Sequence, residues 1–249
     1  MRYKIPALLC LTLFSLTAFA QTETPEKMSR RPDIPGSFAL EFGFNQDASG
    51  PDQFSLGFYG SRTVNLYYQY DFRILNSSFS FVPGIGLSLE RFKFGNENTI
   101  GYDPNDPESI VMLTPADVGL PNVKKSQLIT NYIDMPLEIK YSTNPDDPAR
   151  SFKISVGGRI GYMYDSFTKI KYKENSELKK LKDKEDFNLT RFRYGLTGRI
   201  GVGNLSLFCY YNLTPLFKEG EGLSDIVSAE TSVKNDFSTF TIGISLASF

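Results

Sequence analysis

Thr63-Val64-Asn65-Leu66-Tyr67-Tyr68-Gln69-Tyr70-Asp71-Phe72-Arg73-Ile74 is the stretch that decides the fold. Its even-numbered positions (Val64, Leu66, Tyr68, Tyr70, Phe72, Ile74) are all apolar or aromatic. Its odd-numbered positions are Thr63, Asn65, Gln69, Asp71 and Arg73, with Tyr67 as the single exception to strong polarity. A helix, at about 3.6 residues per turn, would mix these two sets. A strand, whose side chains alternate between faces, keeps them apart.

The same period recurs along the chain. Ser37 to Asn45 sets Phe38, Leu40, Phe42 and Phe44 against Glu41. Phe79 to Phe94 sets Phe79, Phe81, Ile85, Leu87 and Leu89 against Ser80, Gly84, Gly86, Ser88 and Glu90. Tyr132 to Tyr141, Phe152 to Asp165, Phe192 to Val202, Asn204 to Thr214 and Phe237 to Phe249 repeat the pattern, which makes eight strands. Short connections (76–78, 144–149, 203–204) alternate strictly with long ones (46–62, 95–126, 168–187, 218–236). Alternating apolar-out strands, short turns at one end and long loops at the other are the pattern of a transmembrane barrel. The expected fold is therefore all-β: an eight-stranded antiparallel up-and-down transmembrane β-barrel with short periplasmic turns and long extracellular loops, spanning 36–249. A soluble eight-stranded barrel would have to turn its charged faces outward and fill a narrow interior with Phe, Tyr and Leu. The glycines at 84, 86, 157, 161, 195, 201 and 243 instead fall on the polar side, where they leave room for larger neighbours.

The start of the chain fits export. Arg2 and Lys4 precede the apolar run Ile5 to Phe14, and Ala18-Phe19-Ala20 is a small-x-small cleavage site, so residues 1–20 read as a secretory signal peptide. Residues 21–35, with Pro25, Pro32 and Pro35, read as a flexible periplasmic lead-in. Cleavage removes Cys10 and leaves Cys209 alone, so no internal disulfide is expected.

Composition narrows the function classes. The chain has 249 residues, 27 Lys+Arg against 28 Asp+Glu, and no histidine. Ser-His-Asp and Cys-His catalysis, His-ligated metals and histidine pH switches are thereby excluded. The balanced charge argues against nucleic acid, which calls for a basic field.

Several stretches resemble a known family. They are Gly60-Ser61-Arg62 leading into Val64 to Tyr70, Pro83-Gly84-Ile85-Gly86-Leu87 before Glu90 to Phe94, and above all Tyr132-Ile133-Asp134-Met135-Pro136-Leu137. Gly157-Gly158-Arg159-Ile160-Gly161-Tyr162, Arg193-Tyr194-Gly195 and Tyr211-Asn212-Leu213-Thr214-Pro215-Leu216-Phe217 complete the likeness. From about residue 36 onward the chain resembles the PorT-like outer-membrane β-barrel family of Gram-negative envelopes. The resemblance implies an outer-membrane location, supplies no catalytic residues, and connects one branch of the family to protein secretion. Phe249 departs from the usual barrel ending, because it shares parity with Thr241, Gly243 and Ser245; either a bulge in the last strand or a position past the lipid face would account for it.

The inward faces carry a candidate structural charge network: Glu41, Asp71, Glu90, Asp134, Glu138 and Asp165 against Arg73, Lys140, Lys153, Arg159, Arg193 and Arg199. Six acids and six cations in a narrow barrel are expected to pair, since unpaired buried charge is costly. Pro136 cannot donate to a ladder and is expected at a bulge or kink. Asp103-Pro104-Asn105-Asp106-Pro107-Glu108 reads as a solvated loop; neither the spacing of a calcium loop nor rigid support for a carboxylate pair is present. The Lys-rich segment Thr168 to Phe187 reads as a charged hairpin extension in water, with contact to lipopolysaccharide phosphates as the sharper alternative. No cofactor or metal is expected. The expected role is non-enzymatic: a structural or partner-binding envelope component whose loops meet a protein partner and whose wall meets outer-membrane lipid and lipopolysaccharide. A small specific channel is the alternative, and an outer-membrane enzyme ranks below it.

Overall fold

The computed structural model describes residues 36–48, 50, 54–224, 234–235 and 237–247. The leader, the lead-in and Phe249 lie outside the described residues. The strands are β1 (Ser37–Asp47), β2 (Arg62–Gln69), β3 (Phe72–Arg73), β4 (Phe79–Lys93), β5 (Thr99–Asp103), β6 (Asp106–Leu113), β7 (Val123–Ser142), β8 (Phe152–Glu174), β9 (Glu177–Asp183), β10 (Phe192–Val202), β11 (Leu205–Asn212), β12 (Leu223–Ser224), β13 (Lys234–Asn235) and β14 (Thr239–Ala247).

The wall follows chain order: β1, β2, β4, β7, β8, β10, β11 and β14, each antiparallel to the next. β14 then pairs with β1, from Ala39 opposite Ala247 to Asp47 opposite Thr239. The eight strands thus form a ring, and a ring leaves no unpaired edge. The side chains that the sequence placed outward are the ones left exposed. Phe38, Leu40, Val64, Leu66, Phe79, Ile85, Leu87, Ile133, Met135, Ile160, Leu196, Leu207 and Ile242 are all open on the outer surface. An apolar surface of this extent in water would aggregate; around a barrel it meets lipid.

At the short-turn end, Leu75 and Asn76 take φ of 47° and 53°. Val202 pairs with Leu205, so Gly203 and Asn204 alone turn that corner, with Gly203 at φ 59° and its position pressed on the Ala149 carbonyl. A side chain there would meet both strain and a clash.

The long-loop end differs from expectation in two ways. First, β7 is 20 residues long and β8 is 23, well beyond the roughly 9–11 that cross a bilayer. The sequence began β7 at Tyr132 because Ser126 to Thr130 do not alternate; in the fold all five are buried, on both faces. Second, residues 95–126 are not a loose loop. β5 and β6 form a hairpin in which Asp103 faces Asp106. They join β12 and β13 in a second sheet, ordered β13-β12-β6-β5. The Lys-rich segment pairs as a hairpin of β8 with β9, in agreement with the reading of a charged extension.

Pro136 corrects another expectation. It stays in register opposite Arg159, and only the β4–β7 ladder thins beside it, between Pro83–Leu137 and Gly86–Asp134. The irregularity lies further on: Asn131 faces Asp165 and Tyr132 faces Met163, which leaves Tyr164 as an extra residue in β8.

Candidate functional site

Two features occupy the inside of the molecule: a charged layer within the barrel and an apolar cap above it. The charged layer starts with Arg159 on β8 and Arg193 and Arg199 on β10. These two neighbouring strands point three guanidinium groups across the lumen. Arg159 reaches Glu41 on β1 at 3.3 Å and Asp134 on β7 at 3.8 Å. Arg193 holds Asp134 at 2.7 Å and Glu90 on β4 at 2.7 Å. Arg199 pairs with Glu41 at 2.7 Å and also with Glu138 on β7. The seven side chains form one connected set, in which Asp134 bridges two arginines and Glu41 bridges two.

Carboxylates outnumber guanidinium groups in this set by one, and neutral donors complete their coordination. Tyr67 donates to Asp134 at 3.1 Å, Asn65 to Glu41 at 2.8 Å and Ser155 to Glu138 at 2.8 Å. Aromatic faces receive the cations: Tyr132 lies 3.5 Å from the Arg193 guanidinium and Tyr210 lies 4.3 Å from that of Arg159. Tyr67, the odd residue on the polar face of its strand, is thus a lumen residue, and fully buried. Small residues make the room. Gly161 sits opposite both Asp134 and Arg193, and a Cβ there would collide with each. A paired and hydrogen-bonded charge layer of this kind ties the two sides of the barrel together across the lumen.

Five of the twelve candidate network residues lie elsewhere. Asp71, Arg73, Lys140 and Lys153 sit at the short-turn rim. Asp71 pairs with Lys140, Arg73 with Asp146 at 2.7 Å, and Lys153 donates to the Gly203 carbonyl at 3.0 Å. The reason is register: Gln69 already faces Ser37 at the start of β1, so residues beyond Gln69 have passed the end of the wall. Asp165 is the fifth. The extra Tyr164 reverses the alternation of β8, and Asp165 leaves the lumen to pair with Lys184 at 3.0 Å.

The cap is the feature that sequence reading missed. All four long connections, taken between the wall strands as the structure bounds them (48–61, 94–122, 175–191 and 213–238), contribute to one buried apolar cluster. Phe54 comes from the first, Ile100, Ile110 and Met112 from the second, Phe187 and Leu189 from the third, and Leu216, Phe217, Leu223 and Phe237 from the fourth. Phe92, Phe94, Leu128, Tyr132 and Met163 at the barrel mouth form its floor. Phe54 packs on Phe237 at 4.5 Å and on Phe94 at 5.3 Å between ring centroids. Each such side chain, once buried, is worth about 1.5–3 kcal/mol. The signal was present as apolar residues inside segments whose length marked them as loops.

Backbone and charge stitch the cap together. Thr190 donates to the Leu216 carbonyl and Leu216 to that of Phe237. Asn188 donates to the Glu108 carbonyl at 3.1 Å, which joins the third connection to the second. Asp186 accepts from Lys218 at 2.9 Å and from Arg191 at 3.2 Å. The Lys218 hydrogen bond is the main reason its carboxyl is held below the ordinary aspartate range. The Asp103–Glu108 cluster is a β-turn stabilised from within, Asp103 accepting from the Asn105 backbone at 2.8 Å and Asp106 from the Ser109 hydroxyl at 2.5 Å. No metal-ligand cluster occurs among the described residues.

A family profile described as "Outer membrane protein beta-barrel domain" matches residues 19–218. No curated protein matches the chain. Among solved structures, it is similar to Ail, the attachment invasion locus protein of Yersinia pestis, in complex with the heparin analogue sucrose octasulfate. That likeness has 12% identity and a TM-score of 0.32, over 86% of this chain and 100% of that one. A second crystal structure of Ail from Yersinia pestis gives 12% identity and a TM-score of 0.31 over the same shares.

Proposed function

This chain belongs to the outer-membrane β-barrel domain family, and from that premise we propose that it is a non-enzymatic structural or partner-binding component of the envelope, with the folded cap as its working surface. One observation carries the reading: the lumen is closed twice. The arginine–carboxylate layer fills its middle, with Arg159 and Arg193 almost wholly buried, and the aromatic cap covers its mouth. An eight-stranded barrel is just wide enough to be filled by side chains. The chain also lacks histidine, which removes the usual general base from any hydrolytic scheme. A cap that packs its own core, rather than four separate loops, offers a rigid face at which a partner loses little conformational entropy on binding. The likeness to PorT-like barrels favours a partner within a secretion or assembly complex. The leader at 1–20 supplies the export route.

The test is conductance together with capture. Full-length mature protein in planar bilayers is expected to remain electrically silent; discrete single-channel steps would replace this reading with a small specific channel. Photocrosslinkers placed on the exposed side of the cap in intact cells are expected to trap a defined envelope protein, while the same probes at the short-turn rim do not. Turnover of lipid or peptide by the purified barrel would revive the enzyme.

A further inference from the structure

The β8–β9 hairpin has nearly balanced charge as a sequence, but not as a surface. Because Tyr164 is an extra residue, the odd positions of β8 beyond it point outward, in line with the outer face of β7. The ladder then sets cations directly opposite cations. Lys125 on β7 faces Lys171 on β8, Lys171 faces Lys180 on β9, and Lys169 faces Lys182. On the neighbouring strands Arg62 faces Arg91. The opposite face of the hairpin is mixed, with Lys179 paired to Glu174 at 2.6 Å. The carboxylate at the base of the outer face, Asp165, is taken by Lys184. None of the other cations named here joins an ion pair among the described residues.

Like charges directly opposite each other in a sheet are destabilising. Four such cross-strand pairs on one face are a cost that an external anion would relieve. Burial lowers the ammonium pKa of Lys125, and its cationic neighbours Arg62, Lys171, Lys93 and Arg91 lower it further, as expected of a cluster without a counter-charge.

The height of this surface selects the anion. Val64 and Leu89 form a lipid-facing pair, and Arg62 and Arg91 follow two residues later on the same strands, about 7 Å further along. On β8 the exposed Tyr162 and Tyr164 mark the membrane interface, and Lys169 and Lys171 stand five and seven residues further along the same strand, beyond Asp165 and Phe167. The cationic face is therefore a continuation of the lipid-facing wall, running from Arg62 and Arg91 at the edge of the lipid-facing band outward along the β8–β9 hairpin, and points sideways.

We propose that the outer face built by Arg62, Arg91, Lys125, Lys169, Lys171 and Lys182 binds the phosphate groups of the glycolipid in the outer leaflet. This rests on the outer-membrane location alone and is independent of any partner at the cap. The test uses full-length mature protein in neutral detergent micelles, titrated with fluorescent bisphosphorylated lipid A. Binding is expected to saturate and to weaken as salt rises. Surface cations contribute about fivefold each, so K125Q/K169Q/K171Q/K182Q should weaken it on the order of a hundredfold or more, and the matching all-arginine variant should restore it. Equal binding of dephosphorylated lipid A, equal binding by a glutamine variant that retains heat-modifiable migration, or preference for a soluble sulfated polysaccharide over lipid A would each overturn the proposal. If the variant does not fold, salt dependence and the dephosphorylated lipid decide the question on wild-type protein. Heat-modifiable migration reports the barrel and conductance reports its closure, so either can fail without the other.

Discussion

At the scale of single residues, Arg193 concentrates the chemistry of the barrel interior. Its guanidinium spans Glu90 and Asp134 and lies against the Tyr132 ring. Arginine suits this place because its planar fork can serve two carboxylates at once, which an ammonium cannot do with the same geometry. Removing one partner of a buried ion set leaves the other charged and dry, at a cost of about 3–5 kcal/mol. R193M is therefore expected to lower the free energy of unfolding from lipid vesicles by that amount, and the urea midpoint by that amount divided by the denaturant slope; R193K should lower both by less. R73M, at a rim pair whose Asp146 partner is largely exposed, is expected to leave the midpoint nearly unchanged. Equal midpoints for R193M and R73M would contradict the central placement of Arg193.

At the scale of elements, the parity of Val64 to Ile74 carried the wall, and the same rule applied to the other segments recovered the strands around the ring. What it missed has physical causes. A single extra residue leaves no mark in composition, yet Tyr164 turns Asp165 out of the lumen and directs the Lys169–Lys171 face outward. Alternation also cannot report a strand buried on both sides, which is why the expected strand begins only at Tyr132 and omits Ser126 to Thr130. The charge layer was legible where strands cross the middle of the wall, at Glu41, Glu90, Asp134, Glu138, Arg159, Arg193 and Arg199, and illegible at the ends, where register decides what a residue faces. The cap was hidden because the long connections were read only as loops, while Phe54, Phe187, Phe217 and Phe237 are contacts between distant segments that no local pattern marks. Its independence from the wall can be tested. Phe54→Ala removes ring packing against Phe94, Phe217 and Phe237 and leaves a cavity, so it should cost the cap about 3–5 kcal/mol. The expected result is faster protease cleavage in the four long connections with heat-modifiable migration unchanged. Loss of the heat-modifiable form would mean that cap and barrel fold as one unit.

At the scale of the whole molecule, polarity is sorted by direction: lipid-compatible side chains outward around the wall, paired charge inward, aromatic closure above, and unpaired cations outward where the wall leaves the membrane. This sorting makes an inside-out soluble barrel physically untenable, because the interior is already filled by arginine and carboxylate and cannot also receive the outward Phe, Leu and Ile. Cys209 provides a probe of that arrangement. It lies on β11 between Leu207 and Tyr211, both exposed on the outer wall, and is itself exposed and unpaired. Charged reagents do not enter hydrocarbon, whereas apolar ones dissolve in it, so position should decide which reagent reaches this thiol. In folded protein reconstituted in vesicles, a membrane-dissolved pyrene maleimide is expected to label Cys209, while a charged methanethiosulfonate in the water phase does not until the barrel is unfolded in urea. Rapid labelling of the folded protein by the charged reagent would place this face in water, and with it the whole assignment of the wall to lipid would fail.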